Sequence, residues 1–177
     1  MKHILVAFFL LAVFQSTSAQ LKVKTVCADF VVDILDGKIN GVHPDFSTPE
    51  IKSKFPCFTK EEPATSKCGG AVYYKDRDVV FFPAREYVEI GPKFKGKLSL
   101  PLMGGKRGTF FKILGNPKLK DADWDAFETQ YGCLILYYNS ASKVRMIRFS
   151  TKNTDQINLC EYNKNDGFEI LDVALPR

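Results

Sequence analysis

The sequence predicts an all-β fold: a closed up-and-down antiparallel barrel of about eight strands, preceded by an irregular N-terminal segment. Three observations point there. Short apolar runs recur roughly every 10 residues from about Gly69 to Ser150. They are rich in Phe, Tyr and β-branched residues, which suit a pleated, half-buried surface. Compact polar or glycine-containing turns separate them.

The chain opens with Met1-Lys2-His3, followed by an almost wholly apolar stretch from Ile4 to Phe14 and small residues at Thr17 and Ala19. That pattern reads as a signal peptide over residues 1–19. The apolar stretch is too short for a membrane span, which needs about 20 residues, and no later stretch is long enough. No retention tail of the Lys-Asp-Glu-Leu type ends the sequence, so the expectation is a secreted, extracellular protein with one domain over residues 20–177.

From about Leu21 to Lys67 the pattern is irregular and punctuated by Pro44, Pro49, Pro56 and Pro63. Strands are then expected at Ala71–Tyr74, Val79–Phe82 and Glu86–Ile90, with a turn at Lys75 to Asp78. Phe94 to Leu100 alternates strictly. Gly104-Gly105-Lys106-Arg107-Gly108 reads as a turn, although Gly-Gly-Lys-Arg also resembles a prohormone cleavage site. Strands follow at Thr109–Leu114, Ala122–Thr129, Cys133–Tyr138 and Val144–Ser150, the last two joined by a hairpin loop at Asn139 to Ser142. The tight sequential turns favour a meander, which removes its edges by closing on itself. Several strands are apolar on both faces, so the outer face needs a cover. Phe168 to Val173 is a candidate for that cover or for an added strand.

The charge is mildly basic, 25 Lys+Arg against 20 Asp+Glu, and too diffuse to argue for nucleic acid. Only His43 follows the signal peptide, so a histidine-based triad or a multi-histidine metal site is disfavoured by counting. No Cys-x-x-Cys and no Asn-x-Ser/Thr sequon occurs. No nucleophile–base pair is visible, and an enzyme is not expected. The five cysteines, Cys27, Cys57, Cys68, Cys133 and Cys160, suit two disulfides and one thiol left over, free or linking a homodimer.

Trp124, Thr129, Tyr131 and Tyr137 form a Trp-x(4)-Thr-x-Tyr-x(5)-Tyr pattern. It resembles the second conserved region of lipocalins, with Gln130 where that region has Asp. Val144 to Asn153 resembles the eighth lipocalin strand and its end, where an Arg packs under the barrel floor; Lys152 matches it by register, with Arg148 as the alternative. The Gly-x-Trp signature of the family is absent. The likeness therefore covers about Ala122 to Asn153 and is nearest the divergent invertebrate members.

The resemblance implies a secreted carrier or sequestering protein for a small hydrophobic ligand of the pigment, lipid, pheromone, haem or amine class. It also implies disulfides from Cys27 to Cys133 and from Cys68 to Cys160, with Cys57 unpaired or exchanged for Cys68. The ligand would sit in an aromatic cup, for which the candidate lining residues are Tyr74, Phe82, Tyr87, Phe110, Trp124, Tyr138 and Phe149. Trp124 also suits a core residue sealing the barrel end. Divergent lipocalins also suggest an alternative: a protein-binding module or inhibitor that acts through its loops around a barrel filled by its own side chains.

Three further groups have a plain reading and a functional one. His43 is a candidate haem ligand, but its place before Pro44 suits a solvated loop better. Lys93, Lys95 and Lys97, with Lys106, Arg107, Lys118 and Lys120 on nearby turns, suit an anionic ligand or membrane surface, or simply a solvated face that guards against aggregation. Asp121, Asp123, Asp125 and Glu128 lack a regular calcium-binding spacing and read as a solvated turn.

Overall fold

The structure, a computed structural model, describes residues 27–163 and 169–174; the signal peptide expected over residues 1–19 lies outside them. Within the supposedly irregular N-terminal stretch lie strands β1 (Phe30–Asp33) and β2 (Lys38–Ile39), helix α1 (Thr48–Lys54) and strand β3 (Lys60–Glu62). Next come β4 (Ala71–Tyr74), β5 (Val79–Phe82), β6 (Tyr87–Ile90) and β7 (Gly96–Leu98). A helical turn α2 (Phe111–Leu114) precedes β8 (Leu119–Lys120), β9 (Trp124–Thr129), β10 (Gly132–Tyr138) and β11 (Val144–Ser150). The antiparallel pair β12 (Asn158–Asn163) and β13 (Glu169–Ala174) follows, so residues 169–173 of the Phe168 to Val173 stretch form an added strand beside β12, while Phe168 lies outside the described residues.

The expected barrel does not form. One sheet has eight antiparallel strands in the order β3-β4-β5-β6-β11-β10-β9-β8, and a second has three in the order β2-β1-β7. Neither closes. The large sheet is two four-stranded meanders joined where β6 meets β11, with Ile90 opposite Ile147 and Val88 opposite Phe149. A closed meander would need β7 beside β6. Instead β7 runs parallel to β1, with Phe30 opposite Gly96 and Val32 opposite Leu98. Of the alternating Phe94–Leu100 run, only Gly96–Leu98 is strand.

Thr109–Leu114, expected as a strand, contains α2 instead. Its amides turn inward locally, Leu114 N–H to Phe110 O at 2.8 Å and Gly115 N–H to Phe111 O at 3.0 Å. Phe110 is buried while Ile113 is exposed, a difference that so short a segment does not reveal by its period. The open edges of the large sheet are short and charged, Lys60-Glu61-Glu62 in β3 and Lys120 in β8, which discourages pairing with another chain.

Strict alternation gives the large sheet two buried faces. Val72, Tyr74, Phe81, Val88, Leu136 and Phe149 lie on one. The N-terminal layer covers them with Phe30, Val32 and Ile34 of β1 and the following turn, and with Ile51 and Phe55 of α1 and its end. Tyr73, Phe82, Tyr87, Ile135 and Tyr137 lie on the other, with Ile157, Leu159 and Cys160. Helix α1 starts where the Glu50 carboxylate accepts the Ser47 N–H at 2.9 Å and the Ser47 hydroxyl at 2.5 Å. Those bonds lower the Glu50 pKa.

The β9–β10 turn requires Gly132. Its φ is +128°, and a Cβ there would lie 2.1 Å from the Ser150 carbonyl oxygen. Gly132→Ala is expected to cost about 2 kcal/mol or more, read from the urea midpoint. A cost below about 0.5 kcal/mol would contradict this close approach.

The disulfides join Cys27 to Cys57 and Cys68 to Cys160, with Cα–Cα distances of 5.7 and 5.6 Å. The second matches the expected pairing, whereas the first replaces Cys27–Cys133. The reason is the sheet itself. Cys27 lies in the N-terminal layer beside Phe30 and Phe55, while Cys133 is on the opposite face with Cys68 and Cys160. The odd cysteine is therefore Cys133, buried and free.

Candidate functional site

The seven aromatic candidates do not line one cup. Tyr74, Phe110, Tyr138 and Phe149 belong to the face beneath the N-terminal layer. Phe82, Tyr87 and Trp124 belong to the opposite face. All seven are buried. Tyr74 donates its hydroxyl to the Phe55 carbonyl at 2.7 Å, and its ring meets those of Phe30 and Phe81 at 5.1 and 5.7 Å. Phe82 stacks on Tyr87 at 4.5 Å, and the Tyr87 hydroxyl accepts the Cys160 N–H at 3.1 Å. These contacts fill the interior with the protein's own rings.

A cavity of about 60 Å³ remains beside Tyr74, Phe30, Phe55 and the Cys27–Cys57 disulfide, with Lys54 and Arg77 among its lining residues. Pockets for drug-sized ligands run from about 300 to 1,000 Å³, so this space suits one or two waters.

Among the acidic residues expected in a solvated turn, Asp125 is the exception: it is completely buried. Position 125 alternates onto the inner face of β9 between the outward Trp124 and Ala126. The Arg107 guanidinium answers its charge. Nε donates to Asp125 Oδ2 at 3.0 Å and Nη2 to Oδ1 at 2.6 Å. Arg107 also donates to the carbonyls of Asp121 and Ala122 at 2.7 and 2.9 Å. The Tyr138 hydroxyl donates to Asp125 Oδ2 at 2.8 Å, and its pKa is raised by burial and then by this bond. The hydrogen bond to Asp125 likewise raises the Arg107 pKa. Because each member is engaged by the others, the centre latches the 104–108 segment to β9. That segment runs beside β11, Gly104 N–H to Val144 O at 2.9 Å, and contains the expected turn, at 103–104 and 107–110, on either side of the Lys106 bridge.

Arg107 also borders the surface. With Gly108, Phe111, Lys120 and Ser142 it lines an open depression of about 530 Å³. A second depression of about 480 Å³ adjoins Ser142 and includes Asp123, Tyr138 and Arg145. Phe111 meets the Phe127 ring edge-on at 5.9 Å, and Lys120 Nζ lies 5.2 Å from the Phe111 ring centre. Lys97 falls in β7 of the small sheet and Lys120 in β8 of the large one, so the fold separates cations that the sequence grouped together.

On the opposite face, Arg148 is buried. Its Nε donates to Glu89 Oε2 at 2.9 Å and its Nη1 to the Tyr137 hydroxyl at 2.7 Å. Of the two residues matched to the lipocalin arginine, Arg148 is the buried one, whereas Lys152 is partly exposed and pairs with Glu86 at 3.3 Å. Nothing in the local sequence distinguishes Asp125 or Arg148 from exposed charges except strand alternation; their partners Arg107 and Glu89 lie 18 and 59 residues away.

His43 is not a solvated loop residue. It is partly buried, its Nδ1 is shielded without a hydrogen-bond partner, and its ring lies 5.5 Å from that of Tyr131. Among the described residues, no three His, Cys, Asp or Glu side chains gather in a way that could hold a metal ion.

Cys133 is 1 % exposed, which removes the basis for a homodimer linked through the odd cysteine. Burial, with Glu128 adding to it, pushes its thiol pKa up to about 12. The native protein is expected to leave this thiol unmodified by a disulfide reagent until it unfolds. Stability should be complete below the ordinary thiol range and fall as pH rises towards about 12, because the unfolded thiol ionises first. Comparing Cys133→Ala with the parent protein across alkaline pH checks the sign: the variant should lose less stability.

Compared with known proteins, the chain matches no family model, no curated protein and no solved structure.

Proposed function

We propose that this is a secreted, disulfide-braced binding module that acts through its outer surface and loops. The observation that carries this reading is the division of the seven aromatic candidates between two opposite sheet faces, where they pack against neighbouring side chains. Export is supported by the leader-like residues 1–19, by two disulfides, and by the absence of a membrane-spanning helix among the described residues. The outer surface offers open, charged depressions around Arg107, Lys120 and Ser142.

The test is a native mass spectrum of the protein isolated from its own source, set beside the denatured spectrum. A bare mass, or a complex with a macromolecule, supports surface binding. A small-molecule mass present only in the native spectrum would overturn it in favour of a small hydrophobic ligand carrier.

A further inference from the structure

We propose that the surface around α2 docks onto an anionic lipid bilayer. The inference rests on the surface-binding reading above and names its partner. Ile113, on the single turn of α2, is 55 % exposed, the most exposed large apolar side chain among the described residues. Phe111 and Leu114 of the same turn are partly buried against the core, so the fold holds the aliphatic tip in place.

Cations lie in that turn and in the segments adjoining it. Lys112 lies within it, Lys120 reaches back over the Phe111 ring, and Lys118 lies two residues before Lys120. Lys106, next to Arg107, faces Lys143 across an antiparallel bridge. Like charges placed opposite one another are unfavourable, and an anionic surface relieves that repulsion. Lys106, Lys112, Lys118, Lys120 and Lys143 are exposed, and each stands outside every ion pair among the described residues. Asp121 and Asp123 are the exposed acids close by, and the Asp121 carboxylate accepts the Ala122 N–H at 2.6 Å.

An exposed aliphatic side chain with exposed lysines outside ion pairs in its own turn and in the adjoining segments matches the headgroup layer of an anionic membrane. The apolar atoms enter the acyl boundary while the lysine stems let their ammonium groups reach the phosphates. Each lysine near such a surface contributes roughly a five-fold gain in partitioning.

The test is sedimentation of the purified, exported protein with vesicles of phosphatidylcholine alone or with about 30 % phosphatidylserine, at low and physiological salt. The expected result is at least about ten-fold stronger partitioning to the anionic vesicles, weakening with salt. Ile113→Ser, Lys112→Gln and Lys120→Gln should each reduce it about five-fold. A Lys93→Gln/Lys95→Gln/Lys97→Gln variant should retain it. Matched thermal melts establish that every variant is folded. Equal partitioning to both vesicle types, or none, overturns the proposal. So does binding that survives the α2 substitutions but is lost in the 93/95/97 variant, and so does selective association with an acidic protein. A bare native mass without vesicle binding rejects only the lipid assignment, whereas a small-molecule adduct rejects the underlying surface-binding reading.

Discussion

Arg107→Ala is expected to lower stability by about 3 kcal/mol. The substitution strands a fully buried carboxylate: Asp125 keeps the Tyr138 hydroxyl but loses both guanidinium bonds. It also frees the carbonyls of Asp121 and Ala122. Breaking a buried pair by removing one partner typically costs about 3–5 kcal/mol. The lower end applies because the Arg107 side chain is 27 % exposed and water partly replaces it. For a domain of this size the melting temperature should fall by roughly 6–12 °C. Adding Asp125→Asn to Arg107→Ala should recover about 1 kcal/mol or more, since the stranded charge is then gone. Urea unfolding of the two single variants and the double variant measures this coupling. A loss below about 1 kcal/mol for Arg107→Ala would mean that Asp125 is hydrated.

The largest single loss is expected on removing the Cys68–Cys160 disulfide. Its ends are separated by 92 residues, and in the chain-entropy account such a cross-link contributes about 4.6 kcal/mol. The Cys27–Cys57 disulfide, separated by 30 residues, contributes about 3.7 kcal/mol on the same account. Paired serine substitutions should therefore rank the long link above the short one. Access separates them further. Cys68 and Cys160 are buried, while Cys27 is exposed and Cys57 partly so. A mild reductant should open Cys27–Cys57 first and leave Cys68–Cys160 intact until the protein unfolds. Mass-mapped alkylation after timed reduction gives the order, and the reverse order would contradict the burial of Cys160.

Short apolar runs bounded by turn residues located β4, β5, β6, β9, β10 and β11 to within two residues at either end. They also located the hairpin loop whose Ser142 N–H meets the Asn139 carbonyl. That reading missed the helical turn in Thr109–Leu114, because six residues broken only by Lys112 are too few to separate a helical from a strand period. Strands β2 and β3, with two and three residues, are too short to display one. Phe81 and Phe82 do point to opposite faces, as neighbours on a strand must. Which aromatics would share a cavity could not follow from that, because it depends on which strands become neighbours.

The sequence by itself determined that the chain is mostly β, where most central strands lie, that its cysteines suit disulfides, and that histidine-based chemistry is disfavoured. These properties follow from composition and from local period, which each segment carries alone. Only the tertiary structure decided that β6 pairs with β11, leaving the sheets open, and that Cys133 is separated from Cys27 by a sheet. It likewise decided that Asp125 meets Arg107. Such pairings are set by contacts between segments distant in sequence, where burying two faces of one sheet and satisfying each buried charge outweigh local pattern.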